Sequence, residues 1–158
     1  NWTEKAQSTS QQLAQSLADL DGFILKSKSP SCGLERVKVY TMQGIPNGKG
    51  IGIFANVIQA TFPFTPLIED GRLVDLDQRE HFLTRVFAFQ AIKNLEPEMS
   101  KIQNFHRIYK LTLMSHSPQH FRILGKLVGN GERLNAKEVL NRYVPIFLTA
   151  LKTIFYLD

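Results

Sequence analysis

The sequence predicts an α/β N-terminal part, a partial parallel sheet with flanking helices, followed by an all-α domain. Two short apolar runs, Phe23-Ile24-Leu25 and Phe64 to Ile68, alternate with stretches of helical spacing in the first half. Beyond Leu76 the apolar spacing is helical throughout. The charge divides at nearly the same place: residues 1–78 carry 7 Lys/Arg against 8 Asp/Glu, whereas residues 79–158 carry 12 against 6. Helix, strand, helix, strand in that order implies right-handed α/β winding around a parallel sheet. At 158 residues and 43% hydrophobic, the chain can bury a core as one domain or two small ones.

Each element has its own signal. Thr3 is placed to cap a helix whose apolar or small positions are Ala6, Leu13, Ala14, Leu17 and Ala18, ending near Leu20. Asp21-Gly22 breaks it, and Phe23 to Leu25 follows as a strand. Ile24 to Gly33 then reads as an apolar run ending in basic residues and a tight loop, in which Pro30 restrains φ and Gly33 permits a positive one. Val37 to Tyr40 alternates like an exposed or edge strand. Gly44, Pro46, Asn47, Gly48 and Gly50 predict a flexible loop, and Ile51 to Thr61 a helix. Pro66 demotes the strand at Phe64 to Ile68 to an edge position.

The second half predicts four helices. Asp77 to Glu80 resembles a capping box opening a helix that buries Phe82, Val86, Phe89 and Ile92, ending near Leu95 before Pro97. Met99 to Ser115 places Ile102, Phe105, Tyr109 and Leu113 on one face and Gln103, His106 and Lys110 on another. Ser117 with Pro118 starts a third helix, which Gly129-Asn130-Gly131 stops. Asn135 with Glu138 opens a fourth, which Pro145 must kink or interrupt. The expected domains are residues 1–76 and 77–158.

Composition narrows the function. No apolar run approaches the ~18 residues of a membrane span. A single cysteine excludes an intrachain disulfide and fits a reducing, cytoplasmic setting. The glycines at 44, 48, 50 and 52 lack the spacing of phosphate-binding loops, and no G-x-S-x-G elbow surrounds Ser29. His116 and His120 are separated by the helix start at Pro118, which argues against a shared metal. From Lys101 to Lys126 there are five basic residues (Lys101, Arg107, Lys110, Arg122 and Lys126) and no acid, a pattern suited to a polyanion, with His106 among them. Cys32, in its small-residue loop, reads either as a presented thiolate or as a buried small hydrophobe.

Phe23-Ile24-Leu25-Lys26-Ser27-Lys28-Ser29-Pro30-Ser31-Cys32-Gly33 resembles the hallmark segment of the bacterial thiouracil desulfidase family. Gly48 to Ala55 and Phe62 to Asp70 are similar to further parts of that family. Asn104 to Pro118 resembles the helical domain fused behind it in YbgA-like proteins. The resemblance implies that Cys32 is the last of three cysteines binding a 4Fe-4S cluster with one open iron, and that Ser29 is the catalytic serine. It implies a thiolated uracil, or thiouridine in tRNA, as substrate, with sulfur leaving as sulfide. The soft sulfur would be taken by thiolate-bound iron acting as a Lewis acid.

The pattern is incomplete here. The family's first two cysteines and a catalytic glutamate lie upstream of the matching region, and Cys32 is the only cysteine present. The expectation is therefore a central fragment of a longer protein, with the helical domain truncated, no cluster of its own, and no activity alone. Unpaired sheet edges and apolar faces predict self-association of such a fragment. The alternative is a non-catalytic RNA- or protein-binding module in which Cys32 is structural.

Overall fold

The computed structural model describes residues 2–41, 43–129 and 134–154. The chain divides into two compact units, Asn1–Phe82 and Leu83–Asp158.

The first unit runs α1 (Trp2–Ser16), β1 (Phe23–Leu25), β2 (Val37–Tyr40), β3 (Pro46–Gly50), α2 (Ile53–Thr61) and β4 (Leu67–Glu69), then a 3-10 turn over Asp70–Val74. β1 and β4 pair in parallel, with Phe23 opposite Leu67, Ile24 opposite Ile68 and Leu25 opposite Glu69. Strand alternation buries Phe23 and Leu25 and leaves Ile24 exposed. The buried pair packs with Ala14 of α1 and with Ala55, Val57 and Ile58 of α2, and Cys32 lies against the same cluster. The Phe23 ring stacks on Phe62 at 6.4 Å.

Three local expectations are corrected. α1 contains Thr3 rather than starting after it, and it ends at Ser16 because Leu17 and Leu20 turn back onto Ala14 and Leu17. The glycine-rich segment is not a loose loop. It forms β3, antiparallel to β2, with Val37 opposite Gly50 and Lys38 opposite Lys49. Gly44 and Gly48 adopt φ of 77° and 99°, which glycine tolerates without a Cβ clash. Its ladder runs between backbone groups, with Thr41 Oγ1 accepting from the Ile45 N–H at the turn, so no side-chain alternation announces it. β4 begins at Leu67, after Pro66, whose carbonyl accepts from the Phe23 N–H at 2.9 Å.

Helix α3 (Leu76–Lys93) contains the division between the units, and α4 (Met99–Ile108), α5 (Lys110–His116), α6 (Pro118–Gly129) and α7 (Ala136–Ala150) follow. α3 opens on Asp75 and not on the box at Asp77 to Glu80. The Asp75 carboxylate accepts from the Gln78 N–H at 3.2 Å and from the Gln78 amide at 2.9 Å. Phe82 and Ile92 are buried, while Val86 and Phe89 are half-buried. The helix expected over Met99 to Ser115 is two helices, separated at Tyr109 with φ −86° and ψ 8°.

The capping signals are otherwise realised. Ser117 precedes Pro118 at the start of α6, and Asn135 with Glu138 forms a complete capping box on α7. Pro145 lies inside α7, where it removes one donor without ending the helix. The expected stop at Asn130-Gly131 falls outside the described residues. The core of this unit is aromatic: Phe105 meets Phe147 at 5.0 Å and Tyr143 at 6.1 Å, and Tyr109 meets Phe147 at 5.3 Å.

Candidate active-site loop and basic helices

The chain leaves β1 at Leu25 and turns sharply before Cys32. Ser29 Oγ accepts from the N–H groups of Cys32 (3.1 Å) and Ser31 (3.3 Å), and the Gly33 N–H returns to the Ser29 carbonyl at 2.9 Å. A short hydroxyl side chain thus closes the turn on its own backbone. The left-handed positions are Lys28 (φ 60°) and Arg36 (φ 58°), not Gly33 as the sequence suggested. Gly33 serves close approach instead: a Cβ there would lie 2.9 Å from the Ser29 carbonyl oxygen.

The start of α2 is docked onto this loop. The Gly52 N–H bonds the Gly33 carbonyl at 2.8 Å, Ile53 bonds Pro30 at 3.2 Å, and Ala55 bonds Ser31 at 3.1 Å. Helix N-terminal donors that would otherwise face water are satisfied by loop carbonyls. Gly52 permits this contact, since a Cβ would run into the Ser31 carbonyl and sit 2.8 Å from the Cys32 nitrogen.

Two consecutive carboxylates hold the loop from the other side. Asp70 Oδ1 accepts from the Ser27 N–H at 3.0 Å, from the Ser27 hydroxyl, and from the Gly71 N–H at 2.8 Å. Its Oδ2 meets Lys26 Nζ at 2.6 Å. These bonds, led by that from Lys26, hold the Asp70 carboxyl well below the usual carboxylate range. Glu69, buried at 7% exposure, accepts from the N–H groups of Leu34 (2.9 Å) and Glu35 (3.3 Å). Arg72 completes the frame by bonding the Glu35 carboxylate and Gln78.

Cys32 is a free, half-buried thiol on the wall of an open, mostly apolar cleft of about 540 Å³. Ser31 and Phe54 share its wall, and α1 supplies Lys5, Ala6, Thr9, Ser10 and Leu13. The volume falls within the ordinary range of small-molecule sites. Ser29 does not line this cleft; it stands one turn behind Cys32, bonded to the Cys32 amide.

The candidate nucleic-acid residues of the second unit fall into three environments. Lys101 is paired with Glu96 (2.6 Å) and Glu98 (3.4 Å), so its charge is locally offset. His106 turns inward: its Nδ1 lies 3.0 Å from Tyr143 Oη, and its ring stacks on Phe121 at 5.5 Å. Burial, helped by the Lys110 ammonium, lowers its pKa. Arg107, Lys110, Arg122 and Lys126 are exposed, with Arg107 also bonded to Asn104 at 2.7 Å. His116 Nδ1 lies 2.9 Å from the Thr112 carbonyl, and His120 Nδ1 lies 2.6 Å from Ser117 Oγ.

Residues 1–70 match the 2-thiouracil desulfurase family. A second match, to the family described as Protein of unknown function (DUF1722), covers residues 110–155. The chain therefore pairs a desulfurase-family segment with a DUF1722 segment, as the thiouracil desulfidase resemblance fused to a YbgA-like domain implied. No curated protein and no solved structure matches.

The desulfurase segment contains the whole loop, the wall of the cleft and both carboxylates, and Asp70 is its last matched residue. Its donors do not fit a cluster on their own. Among the described residues no three His, Cys, Asp or Glu side chains are grouped to hold a metal, and Cys32 is a single cysteine. Also among the described residues, no helix is long and apolar enough to cross a membrane. Glu69, Asp70 and Gly52 were not singled out as site-building residues by sequence reasoning. The available signal was the acidic end of an apolar strand, which the parallel pairing with β1 brings beside the loop.

Proposed function

We propose that this chain carries part of a desulfidase that removes sulfur as sulfide from a thiolated uracil, with thiouridine in tRNA as the substrate. Residues 1–76 supply the desulfidase-like part, and residues 77–158 the YbgA-like helical domain, in a cytoplasmic setting. The observation that carries the reading is the Cys32 thiol, half-buried on an open cleft of about 540 Å³ within the desulfurase segment. A thiol kept only for packing gains nothing from a cleft.

The overall reaction exchanges C=S for C=O: water is consumed, sulfide leaves, and no electrons are needed. Cys32 is proposed as one cluster ligand, with the remaining thiolates supplied from outside these 158 residues, and the chain alone is expected to be inactive. Ser29 is proposed as a proton relay. Its oxygen accepts two N–H groups, which leaves the hydroxyl hydrogen to donate, and each proton passed on is replaced by one taken up on the same oxygen. The decisive experiment uses the intact parent protein, reconstituted anaerobically with iron and sulfide and given 2-thiouracil or thiolated tRNA. Sulfide release that is lost in Cys32→Ala supports the proposal. No release from a fully reconstituted protein overturns it and favours a non-catalytic module in which Cys32 only packs against the core.

For tRNA, the exposed set Arg107, Lys110, Arg122 and Lys126 is the proposed phosphate surface. Lys101 contributes less because two glutamates already hold it. Charge reversal of Arg107 and Lys110 should weaken tRNA binding and flatten its salt dependence by about one unit of slope per lost phosphate contact. An unchanged affinity and slope removes the RNA assignment.

A further inference from the structure

We infer that Glu69 and Asp70 are positioning residues that clamp both ends of the Ser29–Cys32 loop. The geometry stands by itself, while the catalytic consequence rests on the desulfidase reading. Parallel pairing sets Glu69 opposite Leu25, the last residue of β1, so the residue after β4 meets the chain just after β1. Asp70 there takes the Ser27 N–H and hydroxyl and the Lys26 ammonium. Glu69 takes the returning chain at the N–H groups of Leu34 and Glu35.

The two grips share a feature. Each carboxylate holds the amide immediately before a non-glycine residue in the left-handed region: Ser27 before Lys28 (φ 60°), and Glu35 before Arg36 (φ 58°). That conformation is unfavourable for residues with a Cβ and persists where the surroundings over-determine it. The clamp supplies the determination at both ends. Between them the loop is held by the Ser29 turn, its bonds to the start of α2 and the packing of Cys32 against the core cluster. Releasing an end therefore lets Cys32 move relative to the cleft without unmaking the core.

The test uses the 158-residue chain and needs no cluster: the rate of Cys32 alkylation by iodoacetamide, together with amide exchange at Ser27, Leu34 and Glu35. Asp70→Ala should raise alkylation about fivefold or more and speed exchange at Ser27, whereas Asp70→Asn, which keeps an acceptor oxygen, should stay within about twofold. Glu69→Gln should likewise preserve the rate, while Glu69→Ala speeds exchange at Leu34 and Glu35. Asp70→Ala alkylated at the unaltered rate, with unaltered Ser27 exchange, overturns the inference. So does a rise matched by equal acceleration at Val57 and Ile58, buried in α2 away from the loop bonds, since that is global loosening. A chain without desulfidase chemistry gives the same alkylation response, so the two readings fail separately.

Discussion

The desulfurase segment and the helical unit hold their chemistry-bearing residues by opposite means. Around Cys32 the fixing contacts are hydrogen bonds: two carboxylates, a serine hydroxyl and the first amides of α2, aimed mostly at backbone atoms, with Asp70 also holding the Ser27 hydroxyl and the Lys26 ammonium. Around His106 the contacts are mainly rings, with Phe121 stacked on it and Tyr143 edge-on at 5.8 Å, and a single hydrogen bond joins its Nδ1 to Tyr143 Oη. Hydrogen bonds net little stability each, whereas buried rings contribute large apolar areas. The loop is thus positioned by many small contacts, and the helical unit draws most of its stability from a few large ones.

The largest effect should therefore come from a ring. Tyr143 is fully buried and touches Phe105, His106 and Phe147. Tyr143→Ala should destabilise the helical unit by about 3–5 kcal/mol through lost burial and a residual cavity. Amide exchange across α4, α6 and α7 measures this unit by itself. Protection unchanged from the parent chain would show that the aromatic cluster is not what holds the unit.

In the loop, a change of one methyl group should act on position before stability. Gly52→Ala drives a Cβ into the Ser31 carbonyl and the Cys32 amide, both backbone groups that cannot rotate away. Overpacking of this kind costs about 1–3 kcal/mol. The informative readout is local: the Ala55 and Ile53 amides lose their loop acceptors, and Cys32 alkylation changes rate. Gly129→Ala is the control, because nothing lies near its Cβ. Equal effects at the two glycines would remove the close-approach argument.

What was legible in the sequence follows the same divide. Strands Phe23–Leu25 and Val37–Tyr40 and the caps at Ser117 and Asn135 are local signals, read from residues within one turn or one alternation. The hairpin strand Pro46–Gly50 was missed because glycines pair through backbone alone. The α3 start was missed by two residues because Asp75 and Gln78 offered a competing cap. At the site, Cys32 and Ser29 were visible as a motif, but the Glu69 and Asp70 clamp spans 34 to 44 residues and needs the parallel pairing to exist first. His106 looked solvent-facing from its spacing, yet Tyr143, 37 residues later, turns it inward.

The smallest effect, and the sharpest comparison, is the response to acid. Burial first, then Lys110, lowers the His106 pKa from its ordinary 6.5, and Tyr143, whose phenol burial raises well above its usual value, stays protonated beside it. Asp70 is depressed by Lys26 and Ser27 from an ordinary 3.8. In both cases the unfolded chain binds the proton more readily, so stability falls as pH falls. The windows differ. For His106 the loss begins as pH drops through about 6.5, the unfolded value, and is complete below the depressed folded one. For Asp70 it begins only below about 4 and continues to the depressed value. Acid should thus loosen the α4–α6 packing around His106 first, while the Ser27 amide keeps its protection until the carboxylate range. Exchange followed site by site from pH 7 to pH 3 reads both, and simultaneous loss at Ser27 and in α6 near pH 6 would break the distinction between a loop held by charge and a bundle held by rings.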